Sequence, residues 1–181
     1  MSEILIRKGT KGDALAIAEI HAYTWQSAYS GILPDDVIEE KIKGIPAHAE
    51  FLSTRKSLDN FRIAEVGGKV AGLLTYSKSR DANFPNSAEI VSIYVLPKFQ
   101  HIGVGKKLFL SAIGELVELG YSDMILNVLK ENKKAIGFYT RFGGSVVGEK
   151  TEPFGQRQIP MTELIIKFDN LKKILKDNMV R

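Results

Sequence analysis

Apolar residues in this chain first run together, then recur at helical spacing, then run together again, and each switch marks a new element. Ile4-Leu5-Ile6-Arg7 reads as a short strand. Thr10-Lys11-Gly12-Asp13 has the form of a capping box with Asp in the acidic place. It opens a helix through Leu15, Ile17, Ile20 and Trp25. Residues 30–36, with Gly31 and Pro34, break that helix and cap a second one running to about Lys43. A third helical piece is expected over about 47–54. Residues 61–66 and 70–76 read as strands joined by a tight hairpin at Gly67-Gly68. Residues 88–96 form the next strand. The pattern then turns helical over 103–119, with Val104, Leu108, Ile113, Leu116 and Val117 at roughly helical spacing. A strand over 124–129, a helix over 132–142 and a closing hairpin of 145–150 with 159–168 complete the chain.

Leaving aside the third helical piece, the predicted order is β-α-α-β-β-β-α-β-α-β-β. The strands 88–96 and 124–129 flank a helical crossover, so they are expected to lie parallel. No linker, repeat or low-complexity segment divides the 181 residues, which suit one domain with a self-sufficient core. The absence of cysteine excludes disulfides, thiolate metal sites and a thiol nucleophile. No secretory pattern opens the chain and no apolar run approaches bilayer length, so a cytoplasmic protein without membrane contact is expected. Most of the net charge of +4 resides in 167–181, where Lys167, Lys172, Lys173, Lys176 and Arg181 face Asp169 and Asp177. The remainder is near neutral, with no dense basic stripe for a nucleic acid. Residues 169–181 are expected as a basic C-terminal helix or tail beyond a domain spanning 1–168.

The strand 88–96 feeds into Gln100-His101-Ile102-Gly103-Val104-Gly105-Lys106-Lys107. A strand, a glycine-bearing turn and a helix start gather free backbone N–H groups at the positive end of a helix dipole. Glycines admit a close ligand and the lysines add charge, so this is a phosphate or pyrophosphate site. A P-loop is excluded, because Gln100 stands at its first glycine and Lys107 at its hydroxyl. A dinucleotide fingerprint fails at Leu108, where its third glycine belongs, and a kinase glycine loop fails at the same place.

What fits is Gln/Arg-x-x-Gly-x-Gly/Ala, which resembles the coenzyme A pyrophosphate loop of the GNAT superfamily of N-acetyltransferases. Downstream, Asn132-Lys133-Lys134-Ala135-Ile136-Gly137-Phe138-Tyr139-Thr140-Arg141-Phe142-Gly143-Gly144 resembles the superfamily's Asn-x-x-Ala-x-x-Phe-Tyr-x-x-x-Gly-Phe, with a Phe-Gly-Gly ending in place of Gly-Phe. The resemblance extends, more loosely, over residues 3–168. It implies an α+β, three-layer fold. In that fold a mixed, mostly antiparallel sheet of about seven strands has a splayed parallel pair at its centre and helices on both faces.

It also implies acetyl-CoA as co-substrate. Acetyl transfer to an amine needs a polarised thioester carbonyl, a deprotonated amine and a neutralised thiolate. By resemblance the Ile93 N–H faces the acetyl oxygen, and Tyr94 and Val95 backbone groups bind the pantetheine arm. Residues 100–107 take the pyrophosphate. Asn132, Ala135, Phe138 and Tyr139 border the coenzyme, although a helix cap and core packing also account for much of that pattern. Tyr139 is the candidate acid at the coenzyme sulfur. Glu89 lies eleven residues before Gln100, the offset of the catalytic glutamate in the histone acetyltransferase branch, and is the candidate base. Burial on a central strand is expected to raise its pKa. A solvent-facing glutamate, with a water chain serving as base, is the other reading.

His21, Trp25 and Tyr29 share one helical face just before Gly31. Such a stripe is core or, on the acceptor side implied by the resemblance, the aromatic wall of a small-amine pocket. The signature Trp-x-x-x-Tyr-x-Gly-Ile-Leu-Pro from Trp25 to Pro34 resembles small-molecule acetyltransferases, with the polyamine type as one branch. The turn 151–158 is expected as a lid or a homodimer contact. His48 and His101 stand in no metal-ligand spacing, and no metal is expected. A protein N-terminal or lysine acetyltransferase and a non-catalytic acyl-CoA-binding module are the alternative functions.

Overall fold

The computed structural model describes residues 3–154 and 157–172. Its elements are β1 (Ile4–Lys8), a 3-10 turn (Lys11–Asp13), α1 (Ala14–Tyr29), α2 (Asp35–Lys43), α3 (Ile45–Thr54), β2 (Phe61–Val66), β3 (Lys69–Lys78) and β4 (Ala88–Val95). A second 3-10 turn (Pro97–Phe99) leads to α4 (Val104–Glu118), β5 (Asp123–Leu129), α5 (Lys133–Arg141), β6 (Ser145–Phe154) and β7 (Arg157–Lys167). The strands form one seven-stranded sheet in the order β1-β2-β3-β4-β5-β7-β6. β4 and β5 pair in parallel, and β1–β2, β2–β3, β5–β7 and β6–β7 are antiparallel. This is the expected α+β class, a mixed sheet with its parallel pair at the centre and helices on both faces. The parallel ladder joins only Ala88–Ile90 to Met124–Leu126, and both strands continue beyond it.

Contacts group the chain into two compact units, Met1–Tyr76 with Ser92–Ala112, and Ser77–Val91 with Ile113–Arg181. In the first, Ala14, Ile17, Ala18 and Ile20 of α1 pack with Leu52, Phe61, Ile63 and Leu73. Each larger side chain buried this way contributes about 1.5–3 kcal/mol. The capping box forms: Thr10 donates its backbone N–H and its hydroxyl to Asp13 Oδ2, each at 2.8 Å. Arg7 adds a forked pair of hydrogen bonds to the same carboxylate. Gly67 and Gly68 both have positive φ (57° and 72°), as a two-residue hairpin turn requires. In the second unit Met124 and Leu126 of β5 stand opposite Ile166 and Leu164 of β7, all at most 1% exposed.

Three boundaries differ from expectation. α3 starts at Ile45, because Pro46 is tolerated in a first turn, where its missing N–H would have no partner. β3 runs on to Lys78. The closing hairpin is much longer than expected, so residues 151–154 and 157–158 are strand and not loop. Residues 155–156 of the expected lid lie outside the described residues. β6 is an edge strand, where Pro153 is admissible. Pro160 turns its carbonyl to Lys130 N–H, just past the end of β5, so its missing donor falls where the β5 ladder has stopped. The expected basic tail lies mostly outside the described residues, which end at 172.

Candidate active site

In the first unit, the turn after β4 is tied back by Gln100, whose Nε2 donates to the Val95 carbonyl at 2.9 Å. His101 has φ of 62° and Gly103 has φ of 95°, which swing the chain into α4. The helix starts at Val104, and its first internal hydrogen bond runs from Lys107 N–H to the Gly103 carbonyl. The preceding N–H groups of a helix have no acceptor within it, so Val104, Gly105 and Lys106 present donors at a positive dipole end. His101, Ile102, Gly103, Lys106 and Lys107 are exposed. Lys107 also donates from Nζ to the Ile4 carbonyl at 3.3 Å. Ile93, Tyr94 and Val95 are half-buried on the C-terminal part of β4.

The aromatic stripe of α1 is half-buried in the same unit. The His21 ring lies 5.5 Å from Trp25, 5.3 Å from His48 and 5.1 Å from Tyr94, and Trp25 lies 5.1 Å from Tyr29. Trp25 Nε1 donates to the Tyr94 hydroxyl at 2.8 Å, which joins α1 to β4. Lys41 of α2 sits 4.8 Å above the Trp25 ring. Burial, the Lys41 charge and His48 lower the His21 pKa to about 4, so the ring is neutral at physiological pH. Desolvation likewise lowers Lys41 and His48.

In the second unit, Asn132 caps α5, its Oδ1 accepting from Ala135 N–H at 3.1 Å. The helix ends with Gly143 N–H on the Thr140 carbonyl and Gly144 N–H on the Tyr139 carbonyl. Tyr139 is buried, and Phe138 packs edge-on against both Tyr139 and Phe142. Ala135 is half-buried on the same helix.

Glu89 is buried in this unit at 3% exposure. The expected rise of its pKa does not occur. Burial is the largest influence and does push it up, but the hydrogen bonds and charge of Arg80, with Lys150 behind them, hold the carboxyl below its ordinary value. Sequence reasoning missed Arg80, Asp81, Asn127 and Lys150, all of which border Glu89's surroundings. Nothing local in the sequence links them. Among the described residues, no group of three His, Cys, Asp or Glu is placed to hold a metal ion, and no helix is long and apolar enough to cross a membrane.

The acetyltransferase (GNAT) family model matches residues 19–144, which take in the loop, β4, β5 and α5. The chain belongs to the acetyltransferase (GNAT) family. It is an acetyl-CoA-dependent N-acetyltransferase. This acetyltransferase is similar to the N-acetyltransferase YuaI of Bacillus subtilis, at 26% identity over 149 residues, 81% of this chain and 83% of that one. It is also similar to a spermidine N(1)-acetyltransferase of Thermoplasma acidophilum, at 26% identity over 79% of this chain and 89% of that one. Among solved structures, the PaiA N-acetyltransferase of Thermoplasma acidophilum in complex with coenzyme A shares the fold. Its TM-score is 0.64 at 24% identity, covering 91% of this chain and 99% of that one.

Proposed function

We infer that this acetyltransferase moves the acetyl group of acetyl-CoA to a primary amine of a small molecule, by direct attack in a ternary complex. The amine lone pair attacks the thioester carbon, the C–N bond forms, the C–S bond breaks and the coenzyme leaves as a thiolate. The amine's proton goes to a base and the thiolate takes up a proton. In this reading the N–H groups at 102–106 hold the pyrophosphate, with Gln100, His101 and Lys107 beside them. Ile93 N–H polarises the acetyl carbonyl, and Tyr94 and Val95 hold the pantetheine. Asn132, Ala135 and Phe138 border the coenzyme, and Tyr139 protonates the thiolate. Glu89 is the base once Arg80 releases it. His21, Trp25 and Tyr29 wall the acceptor's alkyl part, where three half-buried rings suit an apolar body with a cationic end.

The observation that carries the small-amine reading is the likeness to a protein named for spermidine acetylation, matched over most of both chains. The test is thiol release from acetyl-CoA with a panel of polyamines, alkylamines, aminoglycosides and peptides. Turnover with peptides alone would replace this reading with protein acetylation. Coenzyme binding without turnover on any amine would favour a non-catalytic acyl-CoA-binding module.

A further inference from the structure

Past Ile90 the parallel ladder between β4 and β5 has ended, so the outer half of β4 is steadied by other means. Contacts within the first unit do this. Leu96 N–H donates to the Ala71 carbonyl at 2.9 Å. Gly72 comes so close that a Cβ there would meet the Tyr94 carbonyl oxygen at 2.6 Å, so only glycine allows this approach of β3. Ser92 and Thr75 share a hydrogen bond between their hydroxyls at 2.8 Å. The Tyr94 hydroxyl accepts from Trp25 Nε1, also at 2.8 Å.

Side chains of a strand alternate between its faces, so Ser92 and Tyr94 point the same way and Ile93 stands between them. Ile93 is thus bracketed by two side-chain ties, one to β3 and one to α1. The tie to α1 spans 69 residues of sequence. The Tyr94 ring packs against the α1 core cluster and lies 5.1 Å from His21, inclined at 31°. Indole is a donor only, through one N–H, and Trp25 directs it to Tyr94.

We propose that Tyr94 is a positioning residue for acetyl transfer, its side chain holding the strand at Ile93 in the alignment that polarises the acetyl carbonyl. The proposal rests on the role given to the Ile93 N–H above and adds what keeps that N–H in place. An N–H stabilises negative charge developing on an oxygen only where it points at that oxygen, and a shift of ~1 Å can cost ~100-fold in rate. The bond also makes Trp25, a wall of the acceptor pocket in this reading, and the β4 donor parts of one braced assembly. A hydrogen bond that served stability alone would lower the melting temperature when lost and leave the bound thioester unaltered.

Infrared difference spectra of acetyl-CoA carrying an isotope-labelled carbonyl, bound to the purified full chain, test this without any acceptor. The carbonyl stretch should lie below that of free acetyl-CoA, and Tyr94→Phe should remove at least about half of that lowering. Tyr94→Phe keeps the ring on His21 and loses only the oxygen to which Trp25 donates. Its calorimetric affinity for coenzyme A should stay within about twofold of the parent's. With an amine that the parent acetylates, kcat should fall at least ~5-fold while KM for acetyl-CoA holds. Trp25→Phe breaks the same bond from α1. The double variant should lose no more of the carbonyl shift than either single one, because the second change finds the bond already gone. Matching melting curves will show that the fold is intact, and should Tyr94→Phe melt early, Trp25→Phe decides by the same spectrum. A shift as large in both single variants as in the parent would overturn the proposal, whatever their melting curves show. No shift in the parent would overturn it too, together with the role of Ile93. Acetylation of no amine, with a carbonyl shift that Tyr94→Phe diminishes, would instead overturn the amine-transfer reading and leave Tyr94's hold on Ile93 standing.

Discussion

Arg80 grips Glu89 with three donors, its backbone N–H and Nε on Oε2 at 3.1 Å each and its Nη2 on Oε1 at 2.6 Å. The carboxylate is buried while the Arg80 side chain is 70% exposed, so the arginine is the partner that borders solvent. A carboxylate held this way is ionised but weakly basic, and it becomes a better base only when the guanidinium withdraws.

Arg80→Met should therefore move the acidic limb of the kcat/KM profile to higher pH, because burial then dominates the Glu89 pKa. Glu89→Gln should lower kcat/KM at neutral pH and abolish that limb. A limb that persists in Glu89→Gln would assign it to the amine's own ionisation or to a water chain.

Tyr139 offers a cleaner test, since only its hydroxyl needs to change. Tyr139→Phe should lower kcat about 10-fold or more, the low side of acid–base contributions, and leave coenzyme affinity near the parent's. Because the ring is buried and kept, stability should change little. An unchanged kcat would return Tyr139 to a packing role.

Gly105 lies in the first turn of α4, among the donors that the loop presents. Gly105→Glu places a bulky anion there and should abolish calorimetric binding of coenzyme A while α4 still folds. Parent-like affinity would move the pyrophosphate elsewhere.

His21 makes stability depend on pH. The unfolded chain takes up its proton near 6.5, whereas the folded chain resists until about 4. Stability is then complete above about 6.5 and falls as pH drops toward 4, by up to about 3 kcal/mol at ~1.4 kcal/mol per pH unit. His48, also lowered, acts in the same direction. Asp13 takes over below that window. Its pKa is lowered to about 2, with the Arg7 hydrogen bond as the largest cause, so its contribution is present above about 4 and lost toward 2. Thermal melts of His21→Asn should be flatter than the parent's between pH 6.5 and 4, and equal slopes would refute this account.

Local chemistry made much of the fold legible. The Thr10–Asp13 box, the Gly67-Gly68 turn and the Asn132 cap each act within a few residues, and each formed as expected. The parallel pairing of 88–90 with 124–126 followed from the helix between those strands. The long closing hairpin was hidden by Pro153 and Pro160, which argue against strand until one knows which strand is at the edge and where β5 stops. The surroundings of Glu89 were less legible still. Its partner Arg80 comes from the start of the β3–β4 connection, nine residues away, and the Lys150–Asp81 contact spans 69. A motif can mark a carboxylate, but its pKa depends on which charges the fold brings beside it.

His101, in the loop before α4, holds a left-handed backbone conformation that a non-glycine residue visits only at an energetic penalty. A turn held in that region has few other backbone paths open to it. If the loop takes the pyrophosphate as proposed, a segment so restricted needs little ordering on association, and a larger share of the phosphate interaction remains as affinity.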